Sequence, residues 1–164
     1  MGLILVRVDD RLIHGQVMVG WRTFLGATQI LVASDRLASN PTACSILDLT
    51  APPDVRLVID TVDNMARRVR EGEFDREKDI LLFENLNDIL RALDLGMTFA
   101  HLNIGGIRHH DCCVAFTPSV SLSDHDIQML REIMGRGIPI DIQMVPMEKA
   151  VHLAPDMLDR RVRG

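Results

Sequence analysis

The chain has 164 residues, 47% of them hydrophobic, 25% charged and 4% aromatic, with a formal net charge of −5; a chain of this length buries roughly two-thirds of its unfolded surface and holds a core without disulfides or metals. Sixteen Arg against two Lys in an acidic average, with five Phe, one Trp and no Tyr, argue against a broad phosphate-tracking face or a base-stacking platform, so no nucleic-acid partner is expected. No apolar run approaches the ~20 residues of a membrane span, the first residues lack the basic region of a signal peptide, and Cys44, Cys112 and Cys113 form an odd set without a disulfide framework, which together predict a cytoplasmic protein.

Strand-sized apolar runs alternate with segments of helical period. Residues 3–8 form the first predicted strand, buried on both faces, and a helix follows over 15–25. The second strand covers 29–32, and Asn40-Pro41 supplies an N-cap with proline at the first helical position. A third strand at 55–59 leads into a helix over 61–71, which spaces Val62, Met65 and Val69 on one face and stops at Gly72. The fourth strand, 80–83, precedes a helix over 87–95 that ends at Gly96. The fifth strand is 99–104. Residues 112–122 interrupt the alternation, with 114–116 and 120–122 as short strands of antiparallel character. Ser123-Asp124-His125-Asp126 has capping-box form ahead of Ile127, Leu130, Ile133 and Met134. The last strand, 138–145, carries Pro139, which is tolerated only near its start or on an edge. The pattern predicts an open α/β fold: a mainly parallel sheet of six to seven strands, one of them antiparallel, with helices on both faces, and residues 1–164 as one domain.

Ligands of such sheets bind beyond the carboxyl ends of the strands. The richest loop there is Asp9-Asp10-Arg11-Leu12-Ile13-His14-Gly15-Gln16, which concentrates two carboxylates, an arginine and a histidine between a buried strand and a helix. An anion carried on His14 would face free N–H groups and the positive end of the helix dipole. Arg11 offers a planar fork to phosphate oxygens. Gly15 clears the approach and allows an unusual backbone angle. Arg7, with its side chain opposite Val6 and Val8, is expected to aim at the mouth. Either Asp9 or Asp10 can hold the second imidazole nitrogen; both cannot lie close to a dianion, so one should brace the loop or pair with arginine. A competing reading makes the aspartates helix caps and His14 an ordinary turn residue.

The stretch from Leu5 to Val17, followed by Gly20-Trp21, resembles the start of the mannose/sorbose-type IIB subunits of the bacterial phosphoenolpyruvate-dependent sugar phosphotransferase system. Ala51-Pro52-Pro53, Asn103-Ile104-Gly105-Gly106, Val120-Ser121-Leu122-Ser123 and Val145-Pro146 agree in order, so the resemblance covers nearly the whole chain, at the length of one IIB subunit without an attached IIA domain. The resemblance implies that His14 accepts a phosphoryl group at Nδ1 from a phosphohistidine of a IIA partner and passes it to a sugar carried by the IIC and IID membrane subunits. It also implies a cytoplasmic protein held peripherally at the inner-membrane complex. Arg11 and Arg7 would supply positive charge, and the Gly15-Gln16 amides and Gly105-Gly106 would support the group; transfer between imidazoles rests on positioning and charge, without metal or other cofactor. The sugar and the state of self-association stay open.

The sequence departs from the family pattern at Ile107-Arg108-His109-His110-Asp111-Cys112-Cys113. This departure keeps two alternatives in view: a regulatory phosphocarrier phosphorylated at His14 without sugar transport, and a metal- or redox-responsive protein built on His109, His110, Cys112 and Cys113. His101 is expected to pack near the sheet, His125 and His152 to face solvent. No Gly-x-Gly-x-x-Gly, Walker-type or Gly-x-Ser-x-Gly motif is present, which removes support for nucleotide-dependent transfer and serine hydrolysis.

Overall fold

The computed structural model describes residues 2–109 and 113–162. Five parallel strands make up most of a seven-stranded sheet: β1 (Gly2–Asp9), β2 (Gln29–Ala33), β3 (Arg56–Asp60), β4 (Lys78–Phe83) and β5 (Leu102–Gly106). Short β8 (Ile140–Ile142) adds in parallel to β5, and β9 (Val151–His152) closes that edge antiparallel, giving the order β3-β2-β4-β1-β5-β8-β9. A separate antiparallel hairpin pairs β6 (Val114–Thr117) with β7 (Val120–Leu122). This is the open, mainly parallel α/β sheet expected, with the interruption before Ser123 resolved as the hairpin.

Alternation along the strands, interrupted in β1 by an irregularity between Leu3 and Leu5, supplies both faces of the sheet. On one face, Leu31, Ala33, Leu81, Phe83, Val6 and Val8 pack with residues of α4 (Val62–Arg70), α5 (Leu86–Asp94), α6 (Asp124–Gly135) and α7 (Pro155–Val162). On the other, Ile30, Val32, Ile80 and Leu82 pack with Val17 and Trp21 of a π-helical segment (Gln16–Trp21) that runs on into α1 (Arg22–Leu25), with Leu37 of α2 (Asp35–Ala38), and with Ala43 and Leu47 of α3 (Pro41–Thr50).

Side-chain caps set the helix starts. Asn40 accepts from the Ala43 N–H, Thr61 from Asn64 and Asn85 from Asp88, and Ser123 with Asp126 forms the full reciprocal box. Three elements escape the sequence pattern, namely α2, β9 and α7. The first is a single turn capped by Ser34 and the second spans two residues, so neither is long enough to carry a period. The last predicted strand contracts to three residues. Pro139 lies just before it, and its carbonyl accepts from the Leu102 N–H. His101 sits just ahead of β5, half-exposed, with Nε2 2.8 Å from Asp141 Oδ2, so it is a surface pairing residue and not a residue packed within the strand. No helix among the described residues is long and apolar enough to cross a membrane.

Candidate functional site

The C-terminal ends of β1 and β5 meet with Arg7 beside Asn103 and Asp9 beside Gly106, and the loop from β1 turns back there. Asp10 N–H donates to the Gly106 carbonyl at 3.0 Å and Leu12 N–H to the Asp9 carbonyl at 2.9 Å. Leu12 takes φ 53°, the one non-glycine residue with positive φ among those described. Its side chain is buried in the core against Val17 and Trp21, and that burial offsets a conformation costing about 1 kcal/mol or more. Gly15 is ordinary right-handed helix at φ −54°, ψ −37°, and a Cβ there would meet nothing within 4 Å. The unusual backbone angle expected at Gly15 therefore belongs to Leu12, because the turn closes before the histidine instead of after it.

Asp9 organises the cluster. Its carboxylate is fully buried and accepts from Arg7 Nη2 at 3.0 Å, from Arg11 Nε and Nη2 at 3.0 Å each, and from the Arg11 N–H at 3.1 Å. Oδ2 also stands 3.2 Å from Nε2 of His14. Burial works to raise the Asp9 carboxyl, but the bonds from His14 and Arg11 and the charge of Arg7 outweigh it and hold the group well below the usual carboxylate range. Burial pushes the Arg7 guanidinium down to about 10 against the opposing pull of Asp9, which leaves it charged at neutral pH.

Arg7 does not reach the mouth. Its side chain is wholly buried beneath Gly105, bonded to Asn103 Oδ1 and, at 2.9 and 3.0 Å, to the carbonyls of Gln143 and Met144; Trp21 lies under the guanidinium with its centroid 5.2 Å away and donates its own indole N–H to Met144 at 3.1 Å. The expectation for Arg7 is corrected on this point: three acceptors and an indole face draw it inward, so it braces the loop through Asp9. Sequence reasoning missed Trp21, Asn103 and the Gln143-Met144 carbonyls as partners of Arg7, because all of them are distant in the chain and the two carbonyls leave no trace in residue identity.

The imidazole of His14 keeps 16% of its side-chain surface exposed. With Nε2 turned to Asp9, no described residue bonds Nδ1. The first intrahelical bonds run from Val17 and Met18 to the His14 carbonyl at 3.0 Å, so the amides of Gly15 and Gln16 precede them at the open end of the helix. The following π-helical winding is of a kind that recurs at functional sites. An imidazole with one nitrogen fixed by a buried carboxylate and the other free beside a cationic cluster is suited to carry an anionic group.

The family model described as PTS system sorbose subfamily IIB component matches residues 3–162. The chain belongs to this IIB family. It is 30% identical over 153 residues to the sorbose-specific EIIB component of Klebsiella pneumoniae, covering 93% of each chain, and 30% identical over 146 residues to the fructose-specific EIIB component of Bacillus subtilis, covering 89% of this chain and 90% of that one. The crystal structure of the IIBSor domain of the sorbose permease from Klebsiella pneumoniae superposes with a TM-score of 0.87 at 29% identity, covering 98% of both chains.

In this IIB component, Arg11 is one-third exposed and its Nη2 also reaches Gln16 Oε1 at 3.2 Å, so the structure gathers Arg7, Asp9, Arg11, His14 and Gln16 into one connected cluster. Asp10 stands apart from the imidazole and is bonded by Arg108. Of the two carboxylates left open by the sequence, Asp9 is the one brought to His14. Beside the loop, Val19, Phe24 and Met147 stay largely exposed around an apolar depression bordered by Gly15 and Gln16. His109 donates from Nε2 to Asp126 Oδ2 at 2.6 Å at the start of α6; His110 and Cys112 of the metal and redox alternative lie outside the described residues.

Proposed function

We propose that His14 is the covalent phosphoryl carrier of this IIB component, with residues 1–164 acting as one cytoplasmic domain at the face of a membrane complex. The observation that carries the reading is the pairing of His14 Nε2 with Asp9, which leaves Nδ1 without a partner among the described residues on a side chain that keeps some exposure. With Nε2–H donated to the carboxylate, Nδ1 holds the lone pair that attacks phosphorus. The P–N bond to the donor imidazole breaks as the P–Nδ1 bond forms. A donor protonated on its other nitrogen leaves as a neutral imidazole, and His14 becomes a phosphoimidazolium whose Nε2–H stays on Asp9, so no proton need be moved. Arg11 supplies charge at the mouth, and the amides of Gly15 and Gln16 supply donors to the equatorial oxygens. Asp9 orients the ring and Arg7 braces Asp9 from below.

The donor is a phosphorylated IIA protein, and the exposed apolar shelf of Val19, Phe24 and Met147 adjoining the loop suits coverage by a protein surface. The acceptor is a sugar presented by IIC and IID membrane subunits. Incubation with labelled phosphoenolpyruvate, the general phosphotransferase proteins and a cognate IIA should give an acid-labile phosphoprotein, and His14→Ala should stay unlabelled; equal labelling of the variant would refute the assignment. Sugar phosphorylation in vesicles containing IIC and IID then separates transport from a regulatory role.

A further inference from the structure

Two adjacent glycines each clear the space for an arginine. A Cβ on Gly105 would fall 1.8 Å from Nη2 of Arg7, and one on Gly106 would fall 3.0 Å from both Nη1 and Nη2 of Arg108. The two arginines divide the neighbouring aspartates between them. Arg7 takes Asp9 from the buried side, and Arg108 takes Asp10 at the surface, its N–H donating to Oδ2 at 3.0 Å and its guanidinium to Oδ1. The Asp10 N–H is tied to the Gly106 carbonyl at 3.0 Å, so carboxylate, glycine and guanidinium form one closed unit.

The arginines differ in what they have left to give. Arg7 spends both terminal nitrogens on Asn103, Gln143, Asp9 and Met144, and Arg11 spends Nε and Nη2 on Asp9 and Gln16. The Arg108 guanidinium bonds Asp10 alone among the described residues, and the pair is about one-third exposed, at 36% and 30%. Asp10 follows directly on the residue that holds the imidazole, so an uncompensated charge there would oppose a dianion arriving on His14.

We propose that Arg108 is a positioning residue for phosphoryl transfer: lying over Gly106, it neutralises Asp10 and holds that carboxylate away from the group on His14. The loop that departs from the family pattern thereby contributes to the site through its first basic residue. The inference rests on the His14 reading, and its test is built to fail separately from it.

Phosphoramidate, a small phosphoryl donor, labels the full chain without a protein donor, and intact mass follows the rate. Arg108→Ala should slow labelling roughly tenfold, while Arg108→Lys retains most of the rate. In the Arg108→Ala background, Asp10→Asn should restore the rate to within about threefold of the parent, because the opposing charge is gone. A parental rate for Arg108→Ala overturns the proposal. So does an Asp10→Asn/Arg108→Ala double variant as slow as Arg108→Ala alone, which would make the arginine a loop anchor. Labelling of His14→Ala at the parent's rate in the same assay would instead refute the carrier assignment, whatever the Arg108 variants do.

Discussion

Asp9 Oδ2 stands 3.2 Å from Nε2 of His14, and the same carboxylate carries both Arg7 and Arg11. One buried anion therefore fixes the imidazole's orientation and its tautomer, and at the same time neutralises a wholly buried guanidinium. The geometry on which the proposed phosphoryl transfer rests and the bonding of the loop both centre on this one group.

Replacing Asp9 by Asn should cost both. Removing one partner of a buried ion pair leaves Arg7 uncompensated, which costs about 3 kcal/mol. Urea unfolding at pH 7 should show that loss, and labelling of His14 should slow by at least tenfold. An unchanged midpoint would mean that Arg7 is neutralised elsewhere.

Two buried aspartates at opposite ends of the sheet predict opposite responses to pH. Asp9 is held below the ordinary range by His14, Arg11 and Arg7 against its burial. Its contribution is complete above the unfolded value of about 4 and is lost as pH falls below that. Asp79, in β4 at the strands' N-terminal end, has both carboxylate oxygens buried without a hydrogen-bond partner among the described residues, and burial, aided by Glu77, pushes it up to about 6. Here the folded state binds the proton more tightly, so the penalty grows as pH rises from about 4 through 6. The stability of Asp79→Asn relative to the parent should be about 1 kcal/mol greater at pH 7 than at pH 5. Urea midpoints of both proteins at the two pH values measure it; a difference independent of pH would contradict the assignment.

Glycines of the site should divide by what lies over them. Gly105→Ala drives a methyl group into the space of the Arg7 guanidinium, 1.8 Å from Nη2, and should destabilise by about 3 kcal/mol. Gly15→Ala adds a methyl into open space at a helical φ of −54°, and should be neutral or stabilise by up to about 1 kcal/mol. Thermal unfolding of the two variants reads this contrast directly.

Much of this architecture is legible in the sequence because apolar alternation dictates it. Residues 29–32 and 80–83 were long enough to read as strands, and Asn40-Pro41 and Ser123 to Asp126 marked their helices by chemistry that local sequence carries. The loop from Asp9 to Gln16 stood out through its density of charge. What stayed hidden is set by distant contacts. Arg7 turns inward because main-chain carbonyls of residues 143 and 144, 136 and 137 positions away, wait for it. Asp10 is bonded by Arg108, 98 positions away, and Leu12, at positive φ, is buried in a core that no local propensity announces.

By holding Nε2, Asp9 should leave Nδ1 of His14 as the nucleophile. Nitrogen-15 correlation spectra of the phosphorylated, uniformly labelled protein report directly which imidazole nitrogen is bonded to phosphorus. A single phosphohistidine is expected, at Nδ1 of His14, with Nε2 protonated. A phosphoryl group on Nε2, or on any other residue, would contradict it.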